Sequence, residues 1–276
     1  MPEQGAKRWF ITGVSSGFGR ELARLLVKDG DAVIGTVRSD ALVRELTDEG
    51  IDAIVMDVNE QAGVDAAVAT VRSRWGQADV VVNNAGFGMA GAVEALTLDE
   101  VRAVMETNFF GVVRVTQAFI PMMRENGGAI VMISSVAGHV GFAGMGAYCA
   151  SKFALEGISE ALATELEPFG VHVMLVEPGL FRTDFSRRSI QGSARSIDVY
   201  AGVQAGEARN MMVSYAGNEP GDPVKAARAI VTALEAEKPP LHLALGADAV
   251  EEVGGKLDRV RQDLETWRPV SIATHF

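Results

Sequence analysis

Tyr148 and Lys152 stand four positions apart in AYCASKFALE, residues 147–156, with only small residues between them. Positions i and i+4 share one helix face, so a phenol hydroxyl and an ammonium can face one pocket. A nearby cation favours phenolate over phenol and is expected to pull the tyrosine below its usual pKa of about 10. Such a pair is a usable acid or base. The same spacing also decorates ordinary helix surfaces, so its meaning depends on what the chain brings beside it. Upstream, ISSVAG ends an apolar run and puts Ser134 and Ser135 at the C-terminal rim of a predicted strand, where open α/β sheets bind ligands. A serine hydroxyl there can hydrogen-bond a substrate oxygen.

A second candidate site lies near the front of the chain. TGVSSGFG follows the first apolar run and leads straight into a helical pattern. Gly13, Gly17 and Gly19 allow a tight turn, and Ser15, Ser16 and Phe18 lie within it. Without side chains at the glycines, a pyrophosphate can approach the backbone at a helix N-terminus, where free N–H groups and the helix dipole favour negative charge. Such glycines can also be purely structural; their place between strand and helix favours a nucleotide. About 20 residues further on, an acid would bind a ribose 2′-hydroxyl and a base would accept a 2′-phosphate. The chain has Val37, Arg38 and Ser39 there. A guanidinium fork and a hydroxyl favour NADP(H), with NAD(H) still possible. The plain alternative is a solvated loop arginine, and Asp40 is close by. Asp57, with Val58 after it, can hold an adenine amino group or cap a turn.

These residues need a frame. RWFITG, DAVIGTV, IDAIVMDV, ADVVVNNAG, GAIVMISS, VHVMLVEPG and LHLALG are short apolar runs. Helical periodicity fills the gaps at 18–29, 40–49, 61–75, 98–125, 147–169 and 223–237, with a last helix over 249–266. In 61–75, Val64, Ala67, Val68, Val71 and Trp75 mark one apolar face. Uniformly apolar strands alternating with helices predict an α/β fold, a parallel sheet covered on both faces. Periodicity breaks between Phe185 and Pro223, which reads as an insertion over the sheet, and 186–220 is expected to be a substrate lid. No linker or repeat divides the chain, so 1–276 is read as one domain with 247–276 as a C-terminal helical extension.

Taken together, the motifs resemble the short-chain dehydrogenase/reductase family of the single-domain type, from about Trp9 to Gly246. TGVSSGFG matches its TGxxxGxG turn, NNAG at 83–86 its fourth-strand motif, SSVAG its serine, YCASK its YxxxK and EPGLFRT its PGxxxT. More finely, ITGVSSGFG, NNAGFG and YCASKFALE resemble the branch containing 17β-hydroxysteroid and retinol dehydrogenase-like enzymes. The resemblance implies a doubly wound, Rossmann-type sheet. It also implies that Tyr148 is general acid/base, that Ser135 orients the substrate oxygen and that Lys152 also grips the nicotinamide ribose. Asn108 would hold Lys152 through a water. Asn84, Ala85 and Gly86 would line the adenosine side, and the PGxxxT motif would bring Pro178, Gly179 and Thr183 to the cofactor, Thr183 at the carboxamide. The family further implies a homodimer or homotetramer, with helices 98–125 and 147–169 pairing across a two-fold axis. The expected substrate is a small carbonyl compound or alcohol. Leu180, Phe181, Phe185, Met211, Met212 and Tyr215 make it lipophilic, unless they only dock the insertion on the core. Arg182, Arg187, Arg188 and Arg195 can instead recognise a carboxylate or the cofactor phosphates.

Composition excludes other classes. The 276 residues carry a net charge of −11, which argues against a nucleic-acid partner. A single cysteine, Cys149, excludes an internal disulfide and fits a reducing cytoplasm. The four histidines, His139, His172, His242 and His275, show no close ligand spacing, so no structural metal is expected. The N-terminal stretch lacks a signal-peptide core, and no apolar run predicts a membrane span. Two rivals remain. A non-catalytic dinucleotide-binding sensor or scaffold should show a broken Asn108, Ser135, Tyr148 and Lys152 set, and all four stand. A nucleotide-sugar epimerase normally needs a longer chain. His139 can contact substrate or simply be satisfied within its loop. Cys149 points about 100° away from Tyr148 and is read as packing. Leu257, Val260 and Leu264 predict a packed amphipathic helix rather than a partner-binding tail.

Overall fold

A computed structural model describes residues 5–276. Its first half runs β1 (Arg8–Ile11), α1 (Gly17–Lys28), β2 (Ala32–Val37), α2 (Asp40–Asp48), β3 (Asp52–Val55), α3 (Gln61–Trp75) and β4 (Val80–Asn83). The chain continues through β5 (Gly88–Ala90), α4 (Leu98–Met105), α5 (Val112–Asn126), β6 (Gly128–Ile133), α6 (Gly146–Leu166) and β7 (Val171–Pro178). It ends with β8 (Ile190–Gly192), α7 (Gln204–Tyr215), α8 (Pro223–Leu234), β9 (His242–Leu245) and α9 (Ala247–Ile272).

A 7-stranded parallel sheet has the order β3-β2-β1-β4-β6-β7-β9. Strand order reverses between β1 and β4, which opens a crevice at the C-terminal ends of the strands. Successive strand residues point to opposite faces. Trp9 and Ile11 pack with Leu22 and Leu26 of α1 and Ile230 of α8. Phe10 faces the other way and meets Phe119 of α5, with ring centroids 4.5 Å apart. Burial on both faces is why the strands read as unbroken apolar runs.

Three elements differ from expectation. The helix expected over 98–125 is interrupted by a π-helical turn, Glu106–Gly111, which carries Asn108; such turns concentrate at functional sites. The insertion is more ordered than its irregular sequence implies. A second π turn, Phe185–Ser189, leads to β8, which pairs in parallel with β5 in a small separate sheet, and α7 follows. Strands this short leave no period to read, and the apolar residues of α7 gather on no clear face. Finally, α9 is not packed along its length: Leu257, Val260 and Leu264 are 59%, 39% and 67% exposed, and Ala249 is its buried residue. Periodicity marks an apolar stripe without specifying what covers it.

Candidate active site

Helix α6 enters the core at its first turn, where Ala147, Tyr148, Cys149, Ser151 and Lys152 are all buried. Lys152 and Tyr148 share one face, with Nζ 5.8 Å from the phenol ring centroid. The ammonium donates to the backbone oxygen of Ile133 at 2.7 Å, which ties α6 to the end of β6. Burial pushes Lys152 down to about 8, and the Glu156 carboxylate one turn on partly offsets this. The expected depression of Tyr148 does not occur. Burial pushes it up to about 12, with the Ser135 hydroxyl working the other way. Phe185 packs 5.6 Å from the phenol ring and helps to desolvate it, which favours the neutral phenol. Tyr148 therefore keeps its proton at neutral pH and is poised as a donor.

The supporting contacts reach back into the fold. Ser135 caps a short turn after β6, accepting from Ala137 N–H at 3.1 Å, and its hydroxyl lies 3.5 Å from the Pro178 carbonyl. Asn108 accepts from Phe87 N–H at 3.0 Å and donates to Phe87 O at 2.8 Å and Ser151 Oγ at 3.1 Å. It thereby joins the π turn, the segment before β5 and α6, one residue from Lys152.

At the other end of the crevice, α1 begins without a side-chain cap: the Ser16 side chain makes no capping bond. First-turn N–H groups of such a helix are available to an anion. Gly13 and Gly17 have φ of 72° and 60°, values that glycine adopts without strain. A Cβ at Gly19 would collide with the Asn84 amide and lie 2.6 Å from Gly13 O, so this glycine lets helix and loop meet. Asn84 in turn donates to the carbonyls of Thr12 and Gly13 at 2.9 and 2.8 Å. The cradle fits a pyrophosphate.

One cleft of about 690 Å³ connects the two ends. The β1–α1 turn contributes Gly13, Ser15, Ser16, Gly17 and Phe18; the ends of β2 and β3 contribute Arg38, Asp57 and Val58. Asn84, Ala85 and Gly86 follow β4, and Ser135, Tyr148 and Lys152 form the centre. Pro178, Gly179 and Thr183 close the side after β7. Gly19, Ser39 and Asn108 are not on the cleft wall. Gly19 and Asn108 act from behind it, and Ser39 is exposed at the head of α2. Asp57 Oδ1 accepts from Asn59 N–H at 2.9 Å, so the aspartate stabilises its turn while lining the cleft.

The insertion roofs the catalytic end. Phe185, Met212 and Phe142 pack around Tyr148 and Met145, while Met211 and Tyr215 line the cleft from α7. Phe181 lines the cleft as well, half-buried and edge-on to Phe18 at 5.1 Å, where it packs against the core. Arg195 is engaged in structure, donating to the carbonyls of Ala95, Glu94 and Leu96. Arg182 and Arg187 donate to the backbone of Glu219 and Ala216, and Arg188 pairs with Asp184 at 3.8 Å.

Four supporting residues escaped sequence reasoning. Thr12 Oγ1 accepts from Asn84 and Ala85 N–H at 2.9 and 3.0 Å. Ser151 receives Asn108, and Asp248 Oδ2 accepts from Leu180 N–H at 2.7 Å, fixing the turn after β7. Glu156, buried, is hydrogen-bonded by Ser134. Thr12, Ser151 and Glu156 lay inside motifs already in view, Glu156 as the last residue of AYCASKFALE; Asp248 carried no signal. His139 and His242, remote in sequence, come together with Glu156 and Glu177, so the lack of close histidine spacing does not hold in space.

The short chain dehydrogenase family model matches residues 7–193. The chain belongs to that family. This short chain dehydrogenase is an oxidoreductase whose relatives include the expected branch. It is 35% identical over 253 residues to 17-beta-hydroxysteroid dehydrogenase type 1 of Mus musculus, covering 84% of this chain and 71% of that one. A short-chain dehydrogenase from Streptomyces avermitilis superposes with a TM-score of 0.91 at 44% identity, over 99% of this chain and 100% of that one. A short chain dehydrogenase from Burkholderia cenocepacia, solved in complex with NADP, superposes with a TM-score of 0.72 at 26% identity, over 95% and 96%. Among the described residues, no helix is long and apolar enough to cross a membrane.

Proposed function

We propose that this short chain dehydrogenase uses NADP(H) to reduce a lipophilic carbonyl compound to its alcohol, with Tyr148 as general acid/base. The observation that carries the reading is one continuous cleft with an uncapped, glycine-lined helix start at one end and buried Tyr148 and Lys152 at the other. Gly13, Ser15, Ser16, Gly17 and Phe18 hold the pyrophosphate. Asn84, Ala85 and Gly86 line the adenosine side with Asp57 and Val58, and Pro178, Gly179 and Thr183 meet the carboxamide end. Arg38, exposed on the cleft wall and in no ion pair among the described residues, faces a 2′-phosphate. Solved neighbours hold either dinucleotide, NADP in the Burkholderia cenocepacia protein and NAD in one from Burkholderia phymatum, so the choice rests on Arg38.

The dinucleotide supplies the hydride. Ser135 holds the substrate oxygen, and Tyr148, which keeps its proton at neutral pH, delivers it there as charge develops. Lys152 binds the nicotinamide ribose, and Asn108, one contact away through Ser151, backs it in a water-linked path for proton resupply. Phe142, Phe185 and Met212 form an apolar wall around Tyr148, which suits a lipophilic ketone or aldehyde. The segment 186–220 serves as the lid that excludes water. The chain acts as one domain in the cytoplasm. It assembles as a homodimer or homotetramer through the stretches 98–125 and 147–169, on which Phe110 of the π turn and Phe153 of α6 are exposed.

The test is NADPH oxidation by the purified protein against aliphatic, aromatic, steroidal and retinoid carbonyls. Turnover of bulky apolar carbonyls above small acidic ones is expected. A protein that binds NADPH and turns over none of them, or that prefers small acids, contradicts the reading.

A further inference from the structure

Behind the catalytic helix, His139, Glu156, Glu177 and His242 offer one ligand atom each within 4.8 Å of one another. We propose that these four side chains form a zinc site that clamps α6 and the loop after β6 to β7 and the edge strand β9. None of the four lines the cleft assigned to cofactor and substrate.

The geometry is close to what zinc requires. His139 Nε2 and His242 Nδ1 lie 3.1 and 2.7 Å from Glu177 Oε1, and 3.8 and 3.7 Å from Glu156 Oε2. A tetrahedral site with bonds of about 2.0–2.2 Å needs ligand atoms about 3.3–3.6 Å apart, inside that spread. Two imidazole nitrogens and two carboxylate oxygens suit a borderline first-row dication better than magnesium or calcium.

Burial and charge point the same way. Glu156 and Glu177 are 5% and 1% exposed. Glu156 gives one oxygen to Ser134, but Oε2 has no hydrogen-bond partner and points into the cluster; His139 Nε2 is likewise unpartnered by hydrogen-bond geometry. Two buried carboxylates side by side need a counter-charge; without an ion the two histidines meet it in part, His242 Nδ1 sharing a hydrogen bond with Glu177 Oε1 at 2.7 Å, and a dication would replace the protons held there. Gly138 makes the approach possible, since a Cβ there would lie 2.7 Å from Glu156 Oε1. His242, at the edge of the sheet, has a side chain 38% exposed, which gives an ion an entry path.

Binding requires both imidazoles neutral and both carboxylates ionised, with displaced protons released to solvent. Tag-free protein, stripped with a chelator and dialysed, is titrated with Zn²⁺, with Mg²⁺ as control, and with Co²⁺ as a spectroscopic probe. Expected are about one equivalent of Zn²⁺ per chain, visible absorption bands of tetrahedral Co²⁺, and a Tm rise of about 5 °C at a hundredfold excess over Kd. His242→Ala, at the exposed corner, and Glu177→Gln should each abolish the Tm response, whereas His275→Ala should keep it. Should Glu177→Gln fail to fold, His242→Ala and the wild-type Co²⁺ spectrum decide. Zinc binding below 0.1 equivalent, octahedral Co²⁺ bands, or an equal response in His242→Ala would overturn the proposal. Dinucleotide affinity is measured in parallel, so loss of the cofactor reading is distinguishable from loss of the zinc site.

Discussion

Replacing Lys152 with methionine should make the protein more stable at neutral pH while removing its activity. The side chain is buried, and its pKa falls from 10.5 to about 8 because the interior disfavours the ammonium. At about 1.4 kcal/mol per tenfold, that fall corresponds to roughly 3 kcal/mol. A folded-state pKa depressed in this way contributes stability that is complete above about 10.5 and lost as pH falls through about 8. At pH 7 the wild type therefore carries the full penalty of a buried charge. Methionine has a similar unbranched stem and no charge, but leaves Ile133 O without its 2.7 Å donor, a loss of about 1 kcal/mol. Dinucleotide-free Lys152→Met should thus unfold in urea about 2 kcal/mol harder than wild type at pH 7. The gap should close by pH 10, where folded wild type has shed the proton. A variant no more stable at pH 7, or a gap unchanged at pH 10, would refute the placement of a strained ammonium at this position.

Four further outcomes follow from the same geometry. Arg38→Asp should narrow or reverse the preference for NADP(H) over NAD(H) in fluorescence titrations, and a wild type that already prefers NAD(H) would count against the 2′-phosphate reading. Gly19→Ala should lose about 1–3 kcal/mol and weaken dinucleotide binding, because its Cβ meets Asn84 and Gly13 O; a neutral substitution would mean the turn relaxes freely. Ultraviolet titration should show late phenolates from Tyr148, pushed up to about 12 by burial, and from Tyr200, raised by its hydrogen bond to Glu94; Tyr148→Phe should remove the later one, and an unchanged titration would contradict the burial of Tyr148. Limited proteolysis within 186–220 should slow on adding NADP(H), and cleavage indifferent to the cofactor would remove the lid.

Many of the residues that build the cleft are legible in the sequence because they sit in short contiguous motifs: TGVSSGFG, NNAG, SSVAG, YCASK and PGLFRT. The sheet is legible for a similar reason, since strands buried on both faces leave unbroken apolar runs. What spacing cannot convey is environment. The i, i+4 relation places Lys152 beside Tyr148, yet the direction of the tyrosine's pKa is set by burial against residues such as Phe185, brought over from another segment. Asp248 fixes the turn after β7 from the first turn of α9, and nothing in EPGLFRT announces it. His139 and His242 meet only because β9 lies beside β7, a pairing that no local pattern encodes. The exposed stripe of α9 illustrates the converse: a clear helical period with no cover over Leu257 and Leu264.

Turnover of Tyr148→Phe, measured beside its NADPH affinity, bears most directly on the proposed chemistry. The substitution removes one hydroxyl from a buried ring and leaves Lys152, Ser135 and the glycine turn in place. Loss of at least about a hundredfold in kcat with unchanged NADPH affinity is expected, the lower range for removing a general acid. A variant that keeps wild-type turnover, or that loses cofactor affinity in step with activity, would contradict the assignment of Tyr148 as the proton donor.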